Sequence, residues 1–383
     1  MKRILFITQN MNMNGANKSL MNLLKVIDKE VYEIDLFAFL YEGILRDEIP
    51  DGINIIKENK YMSYFADSMQ NVWKKGNIIG KGIRGISAIE KKVSGCTTDP
   101  HTKFLLWKFV PVFDKEYDVA IAWNEGACHK FLVEKITASI KIGWCHIDDE
   151  AYPYHYNLQK KYFPKLDYIC TVSNKCKKAL LNRYDISDSK VKIIRNIMPI
   201  KTIQEASSEK FSLFDSNQIN ILTITRNENF KRNTDAIQAA QLLKEKGVKI
   251  HWWILGGGFT DEQYNSTCEY LTFLRPVKNP YVYLRNCDIY VQTSRREAWG
   301  MAVNEAKILR KPIVVSNVEV FKEQIENELN GLVYDCSVND LVEQILRFIN
   351  DQELRKRIQN RLSEKEWSNI EDLNILYSLI EGK

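Results

Sequence analysis

Two carboxylates, Glu297 and Glu305, stand eight residues apart in the stretch S-R-R-E-A-W-G-M-A-V-N-E that begins at Ser294. Before them, Cys287 to Gln292 (C-D-I-Y-V-Q) is a short apolar run with polar flanks, the pattern of a buried parallel strand. A helix is expected to open near Gly300 and turn Met301, Val303 and Ala306 toward a core, and Pro312 starts a second apolar strand, Ile313 to Ser316. Such a strand, loop, helix, strand unit puts Glu297 at a loop tip and Glu305 about one turn into the helix. The two acids then share one mouth, on the order of 10 Å apart. Between them the first backbone N–H groups of the helix, at Trp299, Gly300 and Met301, favour an anion. Carboxylates flanking an anion site suit a ligand with hydroxyls at both ends and phosphate in the middle, and ligands of α/β sheets bind beyond the carboxyl ends of the strands. A nucleotide-sugar has that layout. For a bare pair of glutamates, solvated surface charge is the plain alternative.

In this setting the residues resemble a known family. S-x-x-E-x-x-G with a second Glu eight residues after the first, K-P-I-V-V-S at 311–316 and N-G-L-V at 330–333 closely resemble the donor-binding half of retaining GT-B glycosyltransferases, glycosyltransferase family 4. Arg226 and Lys231, five apart, are similar to the family's R-x-x-x-x-K, whose cations grip the diphosphate of the donor. The chemical need is plain, because a leaving diphosphate gains charge as the glycosidic bond breaks and fixed cations stabilise that transition state. N-P-Y-V-Y-L at 279–284 resembles the family's base-side segment, which implies that Leu274 and Arg275 flank the nucleobase. The resemblance further implies Glu305 on the ribose diol, Glu297 on sugar hydroxyls, and the 298–301 segment, Ala298 to Met301, around the phosphate and sugar. Two positions depart from the pattern: the family usually has Gly where Ala298 and Arg310 stand. Ala298 narrows the sugar-facing loop, which bears on donor choice more than on fold.

Elements that could hold a partner site lie in the first half. Lys2 to Thr8 reads as a buried strand, followed by the loop N-M-N-G-A-N and the helical pattern Ser19, Leu20, Leu23, Leu24, Ile27. The family's first loop is typically G-G-A-E; here Asn14 replaces the first Gly while Gly15 and Ala16 remain. Gly15 would let backbone approach a phosphate or sugar at a helix start, and an ordinary βα turn is the alternative. Tyr117 to Trp123, Lys141 to His146 and Tyr168 to Ser173 are further short apolar runs, and His146 closes its strand at the same mouth as Gly15. The resemblance implies a catalytic place for His146 near the reacting carbon; a capping or packing histidine is the other reading. Asp148 and Asp149 read as a loop or helix cap, since GT-B enzymes do not normally use a D-x-D metal site, and no metal ligand set is expected.

The 383 residues exceed what one core serves. The expected fold is α/β, GT-B, two Rossmann-like domains facing across a cleft: 1–198 on the acceptor side, a polar linker at 199–218, 219–365 binding the nucleotide-sugar, and a helix at 366–383 crossing back. After the strand at Ile250 to Leu255, Gly256 to Gly258 do not make G-x-G-x-x-G, because Asp261 takes the sixth place; a tight turn that lets the adjacent chain pass is expected. The net charge of +5 is uneven, with 30 Lys+Arg against 23 Asp+Glu over 1–200 and 24 against 26 thereafter, so the first half should face something anionic. Within 61–108, which matches no known pattern, the 73–92 stretch carries Lys74, Lys75, Lys81, Arg84, Lys91 and Lys92 against Glu90, interleaved with Trp73, Ile78, Ile79, Ile83 and Ile86. Such a face could lie on an anionic bilayer, or be a solvated helix or loop beside the acceptor cleft; Gly76, Gly80, Gly82 and Gly85 weaken the helix.

Eight scattered cysteines without C-x-x-C spacing, an amino end that reads as a strand, and no apolar run of membrane-spanning length point to a reducing cytoplasm, with peripheral attachment to the inner face of the cell membrane as an option. The activity implied is metal-independent transfer of a hexose from a UDP- or GDP-sugar to a hydroxyl of a glycan or glycolipid, with retained anomeric configuration, in bacterial surface polysaccharide or capsule synthesis. No cofactor and no nucleic acid partner are expected. Two rivals stay open: a non-hydrolysing nucleotide-sugar epimerase, which would act on donor alone, and a non-enzymatic glycan-binding protein, which would bind no donor.

Overall fold

Two sheets, one of seven strands and one of six, are built from parallel pairings throughout. The computed structural model describes residues 1–57, 112–148, 156–364 and 369–382, with residues 78, 81, 82, 107 and 110 between the first two stretches. The expectations for 61–108, its basic 73–92 stretch and Asp149 fall almost wholly outside the described residues. The chain divides into two compact units, Met1–Met198 with Asn369–Lys383, and Pro199–Ser368.

In the first unit the strands are β1 (Lys2–Asn10), β2 (Tyr32–Leu40), β3 (Ile53–Ile55), β4 (Glu116–Ala122), β5 (Thr137–Cys145), β6 (Tyr168–Thr171) and β7 (Val191–Ile193), in the order β3-β2-β1-β4-β5-β6-β7. Alternation along β1 sends Ile4 and Phe6 into one apolar cluster and Leu5 and Ile7 into another, so both faces of this sheet are covered. Helix α1 (Gly15–Val26) is started by Asn14, whose side chain accepts from the Asn17 amide, and it buries Leu20, Leu23 and Leu24 against β1. The last helix, Ile370–Glu381, adds Leu376, Leu379 and Ile380 to the same cluster, and Asp372 and Asn369 accept from the amides of Arg195 and Met198.

The second unit contains β8 (Ile219–Arg226), β9 (Ile250–Gly257), β10 (Leu271–Leu274), β11 (Ile289–Gln292), β12 (Ile313–Ser316) and β13 (Leu332–Tyr334), in the order β10-β9-β8-β11-β12-β13. Counted from β8, that is 3-2-1-4-5-6, the dinucleotide-binding order, whose direction reverses between β8 and β11. At Gly256 a Cβ would come 1.6 Å from the Thr225 carbonyl oxygen, so the glycine run does mark where β9 passes the end of β8.

Residues 199–218, expected as a linker, are instead part of the second unit. Ile200–Ala206 form a short helix that buries Ile203, and beyond it Phe214 stacks on Trp253 of β9 at 4.9 Å while Phe211 meets Tyr283 edge-on at 5.0 Å. Two aromatic anchors hold this segment where its polar composition suggested none.

The helix Met301–Ile308 ends in a Schellman turn, with the Lys311 amide on the Ala306 carbonyl and the Arg310 amide on the Lys307 carbonyl. The left-handed residue this turn requires is Arg310, at φ 56°. A side chain there costs about 1 kcal/mol, part of which glycine would lose again to unfolded-chain entropy. Arg310→Gly should therefore raise the melting temperature by about 1–2 °C. A fall in a thermal melt would mean that the guanidinium contributes more than the backbone strain costs.

Candidate functional site

The switch between β8 and β11 collects the polar side chains of the second unit. β11 runs Ile289–Gln292 in full burial, yet it carries Tyr290 and Gln292, and Ser294 follows, wholly buried. Their hydrogen bonds run in one line. The Tyr290 hydroxyl donates to Gln292 Oε1 at 2.5 Å, Gln292 Nε2 donates to Ser294 Oγ at 2.8 Å, and Ser294 Oγ donates to Glu297 Oε1 at 3.0 Å. The same Glu297 oxygen pairs with Lys231 Nζ at 2.5 Å, with side-chain exposures of 17% and 14%, so the pair sits at a rim open to solvent on one side.

The backbone of Lys231 is fixed as firmly as its ammonium. Thr293 Oγ1 donates to the Lys231 carbonyl at 2.8 Å, and the Arg295 amide to the Phe230 carbonyl at 2.6 Å, which ties the loop after β8 to the loop after β11. Ser316, the last residue of β12, donates to the Ser294 carbonyl, so the K-P-I-V-V-S segment supports the glutamate loop from behind. Glu305 lies in the following helix and is 2% exposed. Burial, then Glu305 and Glu297, push the Tyr290 phenol well above its usual value.

Gly300 starts the helix at φ 85°, where a Cβ would lie 2.6 Å from Phe321. No side chain caps this end. Ala298 and Met301 are half-buried beside it. Trp299 is buried as an anchor, and its carbonyl accepts from Gln324 Nε2. Arg226, at the end of β8, is half-exposed and lies 3.9 Å from Glu228, while its carbonyl accepts from Asn233 Nδ2 at 2.8 Å. Leu274 and Arg275 end the edge strand β10; Arg275 pairs with Asp261 at 2.7 Å and lies over Tyr264 at 4.2 Å. The structure thus pairs Lys231 with Glu297, links Glu297 to Tyr290 through Ser294 and Gln292, buries Glu305 on the following helix, and sets Arg275 in an ion pair two strands away.

In the first unit the corresponding switch lies between β1 and β4. Gly15 is exposed there, and a Cβ added to it would meet nothing within 4 Å. The loop before it is clamped by buried Asn17, whose amide donates to the carbonyls of Asn10 and Asn12 at 2.9 Å each. Thr8 Oγ1 and the Gln9 amide both donate to Asn124 Oδ1. His146 is buried, its ring 4.8 Å from Trp123 and stacked on Trp144 at 5.8 Å. Burial pushes its imidazole down to about 3, against an opposing influence from Asn196, so the ring stays neutral across physiological pH. Its amide and that of Ile147 both donate to the buried Glu125 carboxylate. Asp148 pairs with Lys175 at 2.6 Å.

Sequence reasoning passed over Tyr290, Gln292, Gln324 and Glu125. A usable signal existed for two of them: Gln292 is an amide at the end of an apolar strand, and Glu125 is an acid directly after one.

Residues 204–365, most of the second unit, match the model of a protein family, Glycosyl transferases group 1. Among curated proteins, the chain is 33% identical over 150 residues to N,N'-diacetylbacillosaminyl-diphospho-undecaprenol alpha-1,3-N-acetylgalactosaminyltransferase of Campylobacter jejuni, over 34% of this chain and 39% of that one. It is 24% identical over 168 residues to the capsular polysaccharide biosynthesis glycosyltransferase CapM of Staphylococcus aureus, over 39% of this chain and 44% of that one. The matches thus span about two fifths of these relatives. Among solved structures, TarM of S. aureus superposes with a TM-score of 0.70 at 14% identity over 99% of this chain and 100% of that one. Anabaena HepE in complex with UDP superposes with a TM-score of 0.66 at 16% identity over 100% of both. At such identities the likeness is one of fold: two Rossmann-like α/β domains of the GT-B kind.

Proposed function

We propose that this protein is a retaining, metal-independent glycosyltransferase that moves a hexose from a nucleoside-diphosphate sugar to a hydroxyl of a glycan or glycolipid in bacterial surface polysaccharide synthesis. One observation carries the reading: the Lys231–Glu297 pair at the β8/β11 switch, with Glu305 buried on the next helix, in a stretch that matches the glycosyl transferases. Lys231, with Arg226, stabilises the negative charge that grows on the departing diphosphate. Glu305 accepts from the ribose diol and Glu297 from sugar hydroxyls, while the 299–301 backbone amides face phosphate. Attack comes from the face the diphosphate leaves, and the acceptor proton passes to the departing phosphate oxygen.

The names of the relatives favour an acceptor carried on a lipid diphosphate or in a capsular chain, and the UDP in HepE favours uridine as the base. Among the described residues no helix is long and apolar enough to cross a membrane, and we place the chain in the cytoplasm, at the inner membrane face. A thermal-shift series with UDP- and GDP-sugars tests the reading. A donor at a hundred times its dissociation constant should stabilise the fold by about 2.7 kcal/mol, a rise of roughly 5–10 °C. No shift with any donor and no transfer to lipid-linked acceptors would remove the proposal, and an epimer formed from donor alone would replace it with the epimerase.

A further inference from the structure

We propose that Tyr290, Gln292 and Ser294 form a positioning chain that holds Glu297, and through it Lys231, in the geometry that grips the donor. This rests on the donor site proposed above and adds residues that touch no ligand. Every donor in the chain points the same way, from phenol to amide oxygen, from amide nitrogen to hydroxyl, and from hydroxyl to carboxylate. Tyr290, Gln292 and Ser294 are 0%, 3% and 0% exposed, so water cannot substitute for a missing member.

The direction is enforced at both ends. Glu297 bears a carboxylate that only accepts, so Ser294 must donate to it, which leaves the Ser294 oxygen to accept from the Gln292 NH2 and the Gln292 carbonyl to accept from Tyr290. The amide is thereby locked in one of its two orientations. Removing the serine hydroxyl leaves Glu297 one bond, to a flexible lysine, and both side chains gain freedom that donor binding must remove again. The three residues lie on or just after β11, a central strand beside the switch, whereas Glu297 stands on the loop that follows and Lys231 closes a single 3-10 turn after β8. A buried chain fixed to the strand is how the fold transmits strand rigidity to loop side chains.

The test uses Ser294→Ala and Tyr290→Phe in the full chain, with the free nucleoside, which carries neither the phosphates for Lys231 nor the sugar for Glu297, as the control ligand. For each variant we expect a nucleotide-sugar dissociation constant raised about tenfold, kcat reduced, and unchanged nucleoside affinity. Equal weakening of both ligands, or no change in either, would mean that the chain serves stability alone and would overturn the proposal. Should the unaltered protein bind no nucleotide-sugar, the functional reading fails separately, and crystal structures decide the chain. Glu297 and Lys231 displaced or disordered in Ser294→Ala would sustain it, and an unmoved pair would refute it.

Discussion

Lys231→Ala should lower turnover by about 10²–10³-fold while the protein still folds, because it removes a fixed cation from the place where leaving-group charge develops. The structure adds a reason for the effect to exceed the loss of one charge. Lys231 is the only basic side chain the structure pairs with Glu297 among the described residues, so alanine also leaves a carboxylate, 14% exposed, facing an incoming diphosphate. Repulsion then opposes binding where attraction favoured it. The pair lies at a rim, which limits its own contribution to stability, and the melting temperature should move by only a few degrees. Lys231→Arg separates the two causes: it keeps the charge but offers a planar fork in place of a compact ammonium, and should recover part of the rate. Steady-state assays with the best donor decide the matter, and a Lys231→Ala enzyme of near-normal rate would withdraw the residue from the site.

Much of this arrangement is legible in the sequence, for a definite reason. Parallel strands buried on both faces must be short apolar runs, and the runs at 2–8, 117–123, 141–146, 168–173, 250–255, 287–292 and 313–316 each became a strand within a few residues of those bounds. The loops that follow them carry Lys231, Glu297 and the Gly300 helix start, because polar residues after buried strands fall at the carboxyl ends of the sheet. What stays hidden is whatever depends on partners distant in sequence. Phe211 and Phe214 read as stray aromatics in a polar linker until Tyr283 and Trp253, some 40–70 positions on, are seen beneath them. His146 has the right place after its strand, yet its side-chain environment is set by Trp123 from β4's end together with Trp144, a neighbourhood that spacing along one strand does not show. Arg275 sits at a strand end as expected, but its direction follows Asp261, fourteen residues earlier. Spacing alone carries position along an element; it does not carry direction across one.

Glu305→Gln should cut kcat/KM for the donor by about 10²–10⁴, through two weakened hydrogen bonds from a ribose diol to a carboxylate, each of about 1.5–3 kcal/mol. Glutamine suits this site better than alanine, because Glu305 is 2% exposed and a truncation would leave a buried cavity. The amide keeps the volume and one acceptor but can no longer accept two hydroxyls equally, and its NH2 meets the diol donor to donor. Glutamine keeps the shape of the buried side chain, so the variant should fold about as well as the parent. A donor whose ribose lacks both hydroxyls makes the assignment specific. The unaltered enzyme should lose about as much with that donor as Glu305→Gln loses with the full one, and the variant should lose little more when both changes are combined. Additive losses would mean that Glu305 acts elsewhere, either on the phosphates or through Tyr290 on the neighbouring Glu297. An unchanged kcat/KM in Glu305→Gln would take the ribose away from this helix altogether.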